Sequence, residues 1–195
     1  MMSNVASTVE FTKRHELIRM RAEIERLREE NERLSAMAYR DALTGLRNRR
    51  FFAERLREEL CRLERHPEGQ LSIICVDVNG FKQLNDTRGH AAGDAALIAV
   101  GGVLEMLVRT EDLVCRLGGD EFAVLLPQTD LEQARIIVDR LRTHMPALDG
   151  VGLGHHGLAI GVASWNFGDD ELRLLSRADA EMYADKRALR LARAA

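Results

Sequence analysis

The sequence predicts an α/β layered fold, with a mixed central sheet flanked by helices and a long helix ahead of it. Three observations carry that expectation. Over residues 41–195, apolar strand-like runs alternate with amphipathic helical segments, the pattern of a sheet covered on its faces by helices. Residues 113–126 hold two apolar runs around a Gly-Gly pair, which predicts a hairpin and therefore antiparallel neighbours in the sheet. Residues 9–40 contain no Gly or Pro and are rich in Arg, Glu, Leu and Met.

The N-terminal helix is expected to start at Ser7-Thr8-Val9-Glu10, which has the spacing of a capping box. Leu17, Met20, Ile24, Leu27, Asn31, Leu34 and Ala38 then recur at alternating steps of three and four. This is the seam of a coiled coil. With Ile24 at a and Leu27 at d, Glu16 and Glu23 fall at g, and Arg21 and Arg28 at the following e positions. In a parallel dimer each such acid faces a base of its partner, and Asn31 at a favours two strands in fixed register. The expected division is residues 1–40 as a dimerising coiled coil and 41–195 as a compact domain.

Within that domain, residues 48–65 read as a helix carrying Phe52, Leu56, Leu60 and Leu63, broken at His66-Pro67-Glu68-Gly69. Residues 71–78 form a buried strand that runs up to Asp77 near its end. Polar turn chemistry fills 80–94, and 92–108 is helical with small packing residues. After the hairpin come a helix over 130–144, a Gly-rich loop over 150–157, a strand over 158–163 and a final helix over 170–190.

Composition narrows the function. The 195 residues suffice for one domain with an extension, and 46% apolar content fills a core. With 28 basic and 31 acidic residues the net charge is −3, so a general nucleic-acid binder is not expected. Cys61, Cys75 and Cys115 form no CxxC pair and suggest neither a disulfide framework nor a zinc cluster. Met1-Met2-Ser3-Asn4 lacks the pattern of a leader, and the apolar runs read as shorter than the ~20 residues of a membrane helix. A cytoplasmic protein without membrane insertion is expected.

The chemistry concentrates at Gly118-Gly119-Asp120-Glu121-Phe122. Two glycines let a phosphate approach the backbone, and two adjacent carboxylates suit a divalent metal held against that phosphate. Asp77 ends its strand where α/β sheets place ligand-handling groups. If its strand neighbours the hairpin, three carboxylates converge, and their mutual repulsion calls for a cation. Hard oxygen donors without a His/Cys cluster suit Mg²⁺ or Mn²⁺. Lys82 follows the strand, and Lys186 and Arg190 share a face of the last helix. Each of these bases alone also fits an ordinary surface. Asn85 and Asp94 fit the donors and acceptors of guanine, and equally a turn and a helix cap.

Together these residues resemble the GGDEF family of bacterial diguanylate cyclases. The similarity runs from Asp41-Ala42-Leu43-Thr44-Gly45-Leu46-Arg47-Asn48-Arg49-Arg50-Phe51 to Lys186, with the family's motifs in order. It implies a nucleotidyl-cyclase-like fold. It also implies that two GTP condense to cyclic di-GMP and two pyrophosphates across a homodimer, one GTP per domain. Asp77, the Val78 carbonyl and Asp120 would hold two Mg²⁺ (or Mn²⁺). Asp120 and Glu121 would help activate the attacking hydroxyl, and Lys82 would stabilise the transition state. Asn85, His90 and Asp94 would form the nucleotide pocket, Gly118 and Gly119 would underlie the phosphates, and Lys186 and Arg190 would contact the triphosphate. Arg109 and Asp112, five residues ahead of the glycine pair, resemble the family's inhibitory product site, with Arg140 as a further arginine. The chain departs from the family at Asn79, where aspartate is common, and at Leu189-Arg190-Leu191, where Gly-Arg-Asn is common. The alternative from another class is an inactive module that binds cyclic di-GMP as a sensor. Such modules usually lose the acids or glycines that this chain keeps.

Overall fold

The computed structural model describes residues 2–153 and 157–194. Two units make up the chain, Met1–Ala38 and Tyr39–Ala195. The first is built from one helix, α1 (Met2–Tyr39). It begins ahead of Ser7-Thr8-Val9-Glu10, so that tetrapeptide does not start it. A preceding turn supplies the acceptors that a side-chain cap would otherwise provide. Met20, Ile24, Leu27 and Leu34 are exposed to 58, 47, 53 and 53%, an uncovered apolar row along the helix. Within the single helix Glu23 pairs with Arg26 and Glu30 with Arg33, both at i,i+3.

The second unit contains β1 (Arg47–Asn48), α2 (Arg49–Arg65), β2 (Leu71–Val78), α3 (Phe81–Arg88) and α4 (His90–Leu107). After these come β3 (Leu113–Gly118), β4 (Glu121–Pro127), α5 (Leu131–His144), a 3₁₀ segment (Met145–Val151), β5 (Leu158–Ser164) and α6 (Glu171–Ala194). The sheet order is β1-β3-β4-β2-β5, with β1 parallel to β3 and the other pairs antiparallel. This is the expected mixed sheet. β2 lies inside it, and all eight of its residues are buried because helices cover both faces.

Alternation along the strands builds two cores. Ile74, Val76, Phe122, Val124 and Ile160 face α4 and α5, with Leu97, Val100 and Leu104 among their partners. Ile73, Cys75, Ala123 and Leu125 face the other way, against Phe52, Leu56, Leu60 and Leu63 of α2 and Leu174 and Ala178 of α6. Asn48 caps α2 by accepting the Phe51 amide, and Asp130 with Gln133 forms a complete capping box on α5.

Several expectations are corrected. The polar stretch after β2 is a helix, α3, because the glycines Gly80 and Gly89 bound eight residues that pack Leu84 inward. Asn85 is therefore helical, and Asp94 lies inside α4, not at its cap. β1 is too short to show a periodic signal. Part of the expected Gly-rich loop is 3₁₀ turn, and residues 154–156 lie outside the described residues. α4, with a mean hydropathy of 1.3 over 18 residues, reaches the length and composition of a membrane span. Its Gly93, Ala96, Leu97, Val100, Gly101, Leu104 and Leu107 are buried in this domain, as in a core helix.

β5 is a sheet edge, and α6 closes it. The Ile160 amide donates to Asp185 at 2.8 Å and the Val162 amide to Glu181 at 3.3 Å. Arg142 of α5 holds Asp185 at 2.9 Å. Between those amides lies Gly161, where a Cβ would overlap the Ala178 carbonyl and the Met182 amide. Close approach of α6 to the edge strand depends on that missing side chain. Gly161→Ala should destabilise the domain by about 1–3 kcal/mol, as overpacking does. Thermal unfolding followed by circular dichroism checks this, and an unchanged midpoint would contradict it.

Candidate active site

The β2–β4 register builds the site. Asp77 pairs across the ladder with Glu121, and Val76 with Phe122. Alternation then puts Asp77 and Glu121 on the same face as Ile73, Cys75, Ala123 and Leu125, the face covered by α2 and α6. One residue further, the Val78 amide donates to the Asp120 carbonyl at 3.0 Å. The end of β2 is thus fastened to the hairpin turn.

The turn itself needs its glycines. Gly118 pairs with Glu121, leaving Gly119-Asp120 as a two-residue loop. Gly118 has φ 138° and Gly119 φ 54°, conformations that other residues adopt at a cost. No atom lies within 4 Å of either ideal Cβ position, so the backbone faces open space.

Cations surround these acids. Lys186 of α6 donates to Asp77 Oδ1 at 2.6 Å, and Asp77 is 8% exposed. Arg49 opens α2; its Nε donates to the Leu117 carbonyl at 3.0 Å and its Nη2 to Glu121 Oε2 at 3.5 Å. Among the described residues no group of three His, Cys, Asp or Glu side chains gathers as an ion site. The expected convergence of Asp77, Asp120 and Glu121 is present as backbone register, not as a closed cluster. Carboxylates without a shared cation repel, and here Lys186 and Arg49 answer the charge of Asp77 and Glu121 separately.

Arg116 was not among the residues anticipated. Its Nε and Nη2 both donate to the Gly119 carbonyl, at 3.1 and 2.8 Å. Its Nη1 donates to both Asp41 oxygens, at 2.9 and 3.2 Å. Asp41 also accepts from the Thr44 amide and hydroxyl. One guanidinium thus ties the hairpin turn to the start of the domain. The available signal was a lone arginine in an apolar strand two residues before the glycine pair.

The other predicted residues are spread over α3, α4, α5, α6 and the turn before β3. Lys82, exposed, and Asn85, half-buried, lie on α3; His90 and Asp94, both exposed, lie one turn apart on α4. Asn85 packs against Gly93, where a Cβ would overlap its side-chain oxygen, and among the described residues that oxygen is buried without a hydrogen-bond partner. Arg190 is exposed on α6, one turn beyond Lys186. Arg109 and Asp112 sit in the turn before β3, the Arg109 amide donating to Asp112 Oδ2 at 2.8 Å. Burial pushes the Asp112 carboxyl up, against the pull of Arg109. Arg140 is exposed on α5 and does not line the cavity that holds Arg109 and Asp112. Burial pushes the thiols of Cys75 and Cys115 up to about 12, which unsuits both as nucleophiles.

Burial alone would raise the Asp41 carboxyl, but hydrogen bonds from Thr44 and Arg116 outweigh it and hold it below its ordinary value. A depressed folded-state value stabilises the fold above the ordinary carboxylate range, and that stability is lost as pH falls through it. The thermal midpoint of Asp41→Asn should therefore fall less steeply than that of the wild type below about pH 4. Parallel curves would contradict this account of the Asp41–Arg116 pair.

The family model described as "Diguanylate cyclase, GGDEF domain" matches residues 38–191. The chain is 41% identical over 170 residues to diguanylate cyclase TpbB of Pseudomonas aeruginosa (strain UCBPP-PA14), covering 85% of this chain and 39% of that protein. It is 36% identical over 171 residues to the probable diguanylate cyclase DgcC of Escherichia coli (strain K12), covering 84% and 44%. The chain thus spans about two-fifths of the length of these curated relatives. Among solved structures it resembles the coiled coil and GGDEF domain of DgcB from Caulobacter crescentus in complex with c-di-GMP. That match has a TM-score of 0.78 at 27% identity, covering 88% of this chain and 93% of that one.

Proposed function

The chain belongs to the GGDEF family of diguanylate cyclases, and from that premise we propose that it condenses two GTP into cyclic di-GMP with release of two pyrophosphates. The observation that carries this reading is the Asp77–Glu121 register, beside a glycine turn whose backbone is open to an approaching phosphate.

Each domain holds one GTP and half of the reaction. The 3′-oxygen of one nucleotide bonds to the α-phosphorus of the other, and the bond from that phosphorus to the pyrophosphate oxygen breaks. The hydroxyl proton passes to a carboxylate of the Asp120–Glu121 pair and on to water. Repeating the step with the roles exchanged closes the ring. The protein's share is positioning and charge, as in other phosphoryl-type transfers.

Asp77, the Val78 carbonyl and Asp120 form an all-oxygen donor set that fits Mg²⁺ or Mn²⁺, and a cation already sits on Asp77 in the form of Lys186. These residues would hold two such ions, which supply charge neutralisation at the triphosphate. Lys186 and Arg190, one turn apart, bind the triphosphate, and Lys82 at the start of α3 stabilises the charge that develops on the reacting phosphate. Gly118 and Gly119 let that phosphate reach the turn. Asn85 offers its unpartnered buried oxygen to the guanine N–H groups, with Asp94 and His90 on the adjoining helix completing the pocket. Arg109 and Asp112 bind the product as an inhibitor, with Arg140 as a further arginine.

The reaction needs two domains, and the uncovered apolar row of α1 is suited to bringing them together as a parallel coiled-coil homodimer. Such tethering raises the effective concentration of one half-site for the other to about the millimolar range. A cytoplasmic location, without membrane insertion, suits the GTP substrate and the free thiols Cys61, Cys75 and Cys115.

Incubation with GTP and Mg²⁺, followed by nucleotide chromatography, tests the reading. Cyclic di-GMP should accumulate, and Glu121→Gln should lower its rate by about 10² or more, the scale of lost acid–base catalysis. A wild type that binds cyclic di-GMP but makes none would turn the assignment to the sensor class.

A further inference from the structure

Beside the Arg109–Asp112 turn lies a cavity of about 400 Å³, within the range of small-ligand sites. Its lining includes Arg40, Arg47, Arg109, Glu105 and Asp112. Three guanidinium side chains thus share one cavity with two carboxylates. Arg40 and Arg47 come together because they pair in an isolated antiparallel bridge at the outer edge of β1. Arg40 Nη1 is held by the Gly45 carbonyl at 2.6 Å, and the Arg47 guanidinium lies 4.3 Å from the centre of the Phe51 ring. Among the described residues neither makes an ion pair with a carboxylate.

Resting on the reading above, we propose that Arg40 and Arg47 bind the phosphates of cyclic di-GMP at the inhibitory site, beside Arg109. The ligand carries two phosphodiesters, and one arginine can engage one of them through paired N–H donors. The second requires another cation on the same cavity. Arg40 and Arg47 both line it, in addition to Arg109. Arg40 directly follows α1 and Arg47 opens β1.

Isothermal titration of the full chain with cyclic di-GMP tests this, comparing wild type, Arg40→Ala/Arg47→Ala and Arg109→Ala. The double variant should bind at least about tenfold more weakly, the scale of one charge-assisted contact. Its affinity should also fall less steeply with added salt than that of the wild type. Arg40→Ala alone, at an exposed position, should show part of the loss with an unchanged melting temperature, which separates lost contact from misfolding. Wild-type affinity in the double variant, with Arg109→Ala weakened, would overturn the role of Arg40 and Arg47 and leave product inhibition at Arg109 standing. Absence of binding by the wild type would overturn both.

Discussion

The pairing of β2 with β4 is the constraint on which the site depends. It sets Asp77 opposite Glu121 and brings the Val78 amide to the Asp120 carbonyl. Side chains alternate along a strand, so a slip of one residue would turn Asp77 to the α4 face. The apolar pattern forbids that slip. Ile74 and Val76 would leave one core, Ile73 and Cys75 the other, and every strand residue from Leu71 to Val78 is buried. The same hydrophobic sorting that folds the sheet therefore aligns its acids.

Two further connections convert that register into a defined site. α6 is laid along the β5 edge by Asp185 and Glu181, which satisfy strand amides that would otherwise be open. The residue after Asp185 is Lys186, and the helix thereby delivers its ammonium to Asp77. On the other side, Arg116 spans from Asp41 to the Gly119 carbonyl. The hairpin turn is held from the end of β2 and, through Arg116, from the domain's first residues at once. A glycine turn is conformationally loose in the unfolded chain, and these bonds give it one arrangement.

Much of this was legible in the sequence, for identifiable reasons. The strand at 71–78 and the hairpin at 113–126 carry strong local signals: an unbroken apolar run and a Gly-Gly turn between two such runs. The pairing of Asp77 with the hairpin followed once the strands were neighbours. What was hidden is non-local or lacks a period. β1 has two residues and is defined by its pairing with β3. α3 is polar on the outside and holds one buried side chain, Leu84, so its composition imitates a loop. The hold of Arg116 on Asp41 spans 75 positions, and no spacing rule announces such a contact. Arg40 and Arg47 look like surface bases until the bridge at β1 places them on one cavity.

We propose that Asp77 and Asp120, brought together where the Val78 amide meets the Asp120 carbonyl, serve one set of ions at one nucleotide. Mn²⁺ binding in the presence of a non-hydrolysable GTP analogue, followed by electron paramagnetic resonance, tests it most directly. Asp77→Asn and Asp120→Asn should each remove most of the bound Mn²⁺ seen with the wild type. Full Mn²⁺ occupancy in either folded variant would contradict the claim.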